Sequence, residues 1–171
     1  LANVENYQIG DDSTNTRSVT ITSAFTNVSV NSASDAVTFT ICALVYAGAI
    51  SGEVSVDDIL NLENGADVSG GTLVNIEALT LTSGASVRLS AVQNQNFTGA
   101  VVAPGTGING ETITISGDGA ITTLVNVENY SIDDDSTNAR NVIIRASNTN
   151  VTARSVTDAV TFTIGVLVYT G

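Results

Sequence analysis

Apolar and polar residues alternate in short runs along this chain. The clearest run is Ala36 to Ile41, where Val37, Phe39 and Ile41 fall on one side and Thr38 and Thr40 on the other. A period of two is the pattern of a half-buried strand. Ser18–Ser23 repeats it with Val19 and Ile21 inward, Asn27–Asn31 repeats it again, and Glu111–Ser116 places Ile113 and Ile115 inward. Strands are also expected over Asn3–Ile9, Leu44–Ala47, Asn75–Leu81 and Ala85–Ala91. Asn64-Gly65, Gly70-Gly71, Ser83-Gly84 and Gly117-Asp118-Gly119 read as turns, and Pro104 to Gly110 as a longer loop. Ser90–Phe97 is the one place where a single helical turn fits.

The alternation is itself repeated. Leu1–Gly48 and Leu124–Gly171 align without a gap at an offset of 123 residues, with 30 of 48 positions identical. One unit therefore spans 1–123, and 124–171 begins the next. The expectation is a window on a tandem array whose parent continues in both directions, with no linker between units. A finer echo, L-x-N-[VI]-E, occurs at Leu1–Glu5, Leu73–Glu77 and Leu124–Glu128. Its glutamates stand at strand starts and are expected to accept hydrogen bonds from turn N–H groups.

More than ten short strands without a long helix predict an all-β fold. A parallel β-solenoid (a β-helix) built of 123-residue units is favoured over a string of β-sandwich domains. Three features favour it: unit boundaries without linkers, abundant Asn, Gly, Thr and Val, and an echo below the domain scale. Rungs of about 20–25 residues would give about five or six per unit.

Composition narrows the function. Seventeen carboxylates face five arginines, for a net charge of −12. Such a surface repels nucleic acid and anionic membranes, and no apolar run approaches the length of a membrane span. The chain contains no histidine, which excludes a Ser-His-Asp triad, a Cys-His pair and a His-ligated zinc site. The single Cys42 is replaced by Gly165 in its own repeat copy. The expectation is that this chain is not an enzyme.

Stretches such as TLVNIEALTLTSGASVRLSAVQNQNFTGAV and ETITISGDGAITTLVNVENYSIDDDSTNAR resemble the β-strand repeats of very long bacterial surface proteins. These are adhesin-like or matrix proteins near the haemolysin-type, type I-secreted group. The resemblance implies an extracellular or cell-surface, repetitive, structural or adhesive role. The calcium nonapeptide of that group is absent: Gly70-Gly71-Thr72-Leu73-Val74-Asn75 has Leu in place of its third Gly and Asn in place of its Asp.

Calcium is the candidate cofactor. Asp11 and Asp12 occupy the same turn as Asp133, Asp134 and Asp135 in the second copy, and Asp57 with Asp58 forms another acidic turn. Adjacent carboxylates with Asn and Ser oxygens are the ligand types that calcium takes, although the same residues are also ordinary turn formers. Asn27, Asn96 and Asn150 lie in N-x-[ST] sequons. The expected function is an extracellular filament, stalk or matrix fibre of stacked rungs, with copies of itself as partner. The alternative is the shaft of a giant adhesin or an S-layer-type surface protein, with cell surface or polysaccharide as partner.

Overall fold

The computed structural model describes residues 5–10, 16–31, 35–42, 44–103, 110–133, 139–145, 149–154 and 159–165. In chain order the elements are β1 (Asn6–Gly10), β2 (Arg17–Ile21), β3 (Asn27–Asn31), β4 (Val37–Ile41), β5 (Ala49–Ser51), β6 (Ile59–Leu62), β7 (Thr72–Val74), β8 (Ala78–Leu81), β9 (Ser86–Ser90), α1 (Ala91–Asn96), β10 (Val101–Val102), β11 (Thr112–Ser116), β12 (Ile121–Thr122), β13 (Asn129–Ile132), β14 (Arg140–Ile144), β15 (Asn150–Ala153) and β16 (Val160–Ile164). Every strand pairing among them is parallel.

The chain winds a β-solenoid with three sides. The first side stacks β1-β3-β5-β7, then α1, then β12-β14-β16. The helix joins the two sheets: Asn96 Nδ2 donates to the Leu73 carbonyl at 3.5 Å and Asn94 Nδ2 to that of Thr122 at 2.8 Å. The second side stacks β2-β4-β6-β8-β10. The third begins narrowly, through single bridges from Val45 to Asp67 and from Asp67 to Arg88. It then widens into β9-β11-β13-β15. That last sheet crosses from the first 123-residue unit into the second.

Period-two alternation builds the core. On the second side Val19, Phe39, Leu60, Leu79 and Val101 stack in register, and beside them run Ile21, Ile41, Leu62 and Leu81. On the third side Val87, Ile113, Tyr130 and Val151 form one inward row, and Leu89, Ile115, Ile132 and Ala153 another. Phe39, Ile41, Leu60 and Leu62 are fully buried. Each such side chain contributes about 1.5–3 kcal/mol on burial, and interior strands such as β4 and β6 have both edges paired by the turns above and below.

Several boundaries depart from the local pattern. Leu44–Ala47, expected as a strand, contributes a bridge at Val45 alone. Tyr46 fills that narrow side and is fully buried, with its hydroxyl donating to the Thr26 carbonyl at 2.6 Å. The strand expected over Asn75–Leu81 begins only at Ala78, because Asn75 takes a left-handed φ of 52° that turns the chain between two sides. The helical turn expected over Ser90–Phe97 is α1. Ser90 caps it, with its Oγ accepting from the Gln93 N–H at 3.2 Å and its own N–H donating to Gln93 Oε1 at 2.8 Å. Most of the loop expected over Pro104 to Gly110 lies outside the described residues.

Candidate functional site

The features that could carry function are the corners of the solenoid, its outer rows and its two end rungs. Two of the corners are made by the L-x-N-[VI]-E echo, at Leu73–Glu77 and Leu124–Glu128. Asn75 and Asn126 both adopt a left-handed backbone, with φ of 52° and 64°. Asparagine tolerates this region better than most residues. Each amide reaches the previous turn: Asn75 Nδ2 donates to the Gly52 carbonyl at 3.4 Å and Asn126 Nδ2 to that of Val101 at 3.1 Å. Gly52 has no room for a Cβ, which would strike the Asn75 carbonyl and the Asp58 carboxylate.

The glutamates follow the same geometry. Glu77 immediately precedes β8 and Glu128 immediately precedes β13. Glu128 Oε2 accepts the backbone N–H of Glu111 on the turn below at 3.2 Å, which is the turn-capping role expected from sequence. Glu111 was not singled out in the sequence, yet it immediately precedes β11 as Glu128 precedes β13 and sits directly beneath it. Its Oε1 accepts the Gly84 N–H at 3.0 Å, and the residue is fully buried. The signal that finds it is the shared E-x-[IY]-x-I of Glu111–Ile115 and Glu128–Ile132. Burial, and the neighbouring Glu111 carboxyl, push Glu128 above the ordinary carboxylate range. Burial also raises Glu77.

The calcium candidates separate. Asp11, Asp12, Asp134 and Asp135 lie outside the described residues. Asp133 forms a short ion pair with Arg88 Nη1, and Arg88 Nε lies 3.8 Å from Asp67 Oδ2. Asp57 is exposed and Asp58 fully buried. Asp58 Oδ1 accepts the Val37 N–H and Oδ2 the Glu53 N–H, both at 2.6 Å. Burial raises its pKa while these two hydrogen bonds pull it down. The adjacent pair is thus split by the turn, one carboxylate outward and one inward. Among the described residues no three His, Cys, Asp or Glu side chains converge to hold a metal.

The outer rows contain asparagine ladders. Asn27 Nδ2 donates to Asn6 Oδ1 at 3.1 Å, and Asn27 Oδ1 accepts the Ala49 N–H at 2.9 Å. The second copy repeats the first bond: Asn150 Nδ2 donates to Asn129 Oδ1 at 3.3 Å. Two sequon asparagines therefore spend their amides on neighbouring rungs. Beside α1 an open groove of about 440 Å³ is lined by Phe97, Val101, Thr122 and Arg145 among others. The amides of Asn94 and Gln95 at its edge are bonded to the carbonyls of Thr122 and Ala120.

The end rungs differ from the interior. Tyr7 is 40% exposed, whereas its copy Tyr130 is buried with its hydroxyl accepting the Leu124 N–H at 2.9 Å and donating to Asn94 Oδ1 at 3.2 Å. Ile164 is 68% exposed, whereas its copy Ile41 is fully buried. No family model matches the chain, and no curated protein or solved structure shows significant similarity to it.

Proposed function

We propose that this chain is a structural repeat protein whose stacked β-rungs form an extracellular filament, stalk or matrix fibre. The observation that carries the reading is the ladder across the repeat boundary. Strand β11 of the first unit pairs with β13 of the second from Thr112↔Asn129 to Ile115↔Ile132. One unit is therefore a template for the next. Its partner is a further copy of the same sequence, since the edge that a rung presents is the edge that its own copy covers. The net charge of −12 keeps rods apart laterally, and cations from the medium would relieve that repulsion. The role is mechanical rather than catalytic, at the cell surface or in a matrix.

The test is cryo-electron microscopy of native material. Continuous filaments with a layer line near ~4.8 Å are the expected result. Separate globular beads, or short capped rods bearing a distinct head, would overturn the filament reading. Capped rods would point to the shaft of an adhesin.

A further inference from the structure

The sequence repeat and the turn of the solenoid are out of step. Strand β1 and its copy β13 lie on different sides, the first and the third. From β1 the first side is met again at β3, β5, β7, α1 and β12, which is five turns, and β13 lies two sides further on. The other copies agree. β2 lies on the second side and its copy β14 on the first; β3 lies on the first and its copy β15 on the third; β4 lies on the second and its copy β16 on the first. The 123-residue unit thus makes five and two-thirds turns.

The corners explain how one sequence fits more than one side. Leu73–Glu77 turns the chain from the first side to the second, leading from β7 into β8. Leu124–Glu128 turns it from the second side to the third, leading from β12 past the Val101 level into β13. The same left-handed asparagine and the same reach to the turn below serve both corners. The asparagine ladder is equally portable, on the first side at Asn6–Asn27 and on the third at Asn129–Asn150.

We infer that in an array of these units each unit is rotated about the axis by one side relative to the last, so that equivalent residues return to the same side only after three units. This rests on the array reading proposed above. Three units make seventeen turns, or about 82 Å at ~4.8 Å per stacked strand. Every outward row that recurs once per unit then winds round the rod. A flat partner, such as a surface or a neighbouring rod of the same chain, meets a given row once in three units. A partner that encircles the rod meets it in every unit.

Disulfide trapping in the 171-residue chain tests the rotation. In a Cys42→Ser background, Ile143→Cys is paired either with Thr122→Cys or with Val102→Cys. Thr122 is the register partner of Ile143 in the rotated arrangement. Val102 is the control for a copy that returns to the side of the original: β14 would then lie on the second side and position 143 in the outward row of Thr20, Thr40, Asn61, Thr80 and Val102. Directly stacked residues lie about 4.8 Å apart, within the Cα range that a disulfide spans. Mild oxidation is expected to join 122 to 143 and to leave 102 and 143 free, read by mass spectrometry after cleavage at Arg140. A 102–143 link, links in both variants, or a link in neither would overturn the rotation. Circular dichroism confirms that each variant is folded before oxidation. If filaments are absent by microscopy but 122 and 143 still join, the array reading fails and the rotation of the copies stands.

Discussion

Phe39 and Phe162 occupy the same position in the repeat and opposite environments. Phe39 is fully buried between Val19 on the turn below and Leu60 on the turn above, whereas Phe162, stacked on Val142, is 45% exposed. The pentapeptide VTFTI is identical in both places. Its burial is decided by the neighbouring rung. Phe39→Ala is therefore expected to cost about 3–5 kcal/mol and Phe162→Ala about 1 kcal/mol or less. Denaturation midpoints of the two variants check this, and equal losses would contradict it.

Carboxylates drawn wholly or partly out of water set the pH response. Burial raises Asp58, Glu77 and Glu128 above their ordinary values. A carboxyl whose pKa is higher in the folded chain than in the unfolded one stabilises the fold below the unfolded value, and that contribution is lost as pH rises through the folded value. Stability should therefore fall as pH rises from about 4 toward neutrality. Glu128→Gln, which still accepts the Glu111 N–H and can donate to the Glu111 carboxyl, should raise the melting temperature at pH 7 and flatten the profile. A profile that rises with pH, unchanged by the substitution, would contradict the assignment.

The two corner asparagines should respond alike. Alanine at Asn75 or Asn126 keeps an unfavourable left-handed backbone, at about 1–2 kcal/mol, and loses an amide hydrogen bond of about 0.5–1.5 kcal/mol. Glycine loses only the hydrogen bond and relieves the backbone. The expected order of stability at each corner is Asn, then Gly, then Ala, measured by thermal or chemical unfolding.

Asp58 tests the inward turn. Its two oxygens accept from Val37 and Glu53, so Asp58→Asn sets a donor group against a backbone N–H. A loss of about 1–3 kcal/mol is expected. The exposed neighbour supplies the contrast, and Asp57→Asn should change stability by about 0.5 kcal/mol or less.

Much of the β architecture could be read from the sequence because alternation is local. Ala36–Ile41, Asn27–Asn31 and Glu111–Ser116 each state which residues face inward. The strands β5, β6, β7, β10 and β12 escaped that reading, since two to four residues are too short to show a period. Glu111 escaped it too, because its role depends on Glu128 one turn above. The aspartates of the acidic turns looked alike in sequence, yet Asp133 meets Arg88 and Asp58 meets backbone N–H groups. Val37 is 21 residues from Asp58 and Arg88 is 45 from Asp133, beyond the reach of any local pattern.

By itself the sequence determined the strand class, the inward rows, the capped turn at Ser90 and the 123-residue repeat, each being set by neighbours along the chain or by comparison of the chain with itself. Tertiary structure alone decided which side each strand occupies. A side is chosen by the edge that the preceding turn leaves open, and the corner sequence fits more than one corner. That is why β1 and β13, which share Asn-Tyr-x-Ile, lie on different sides of the same rod.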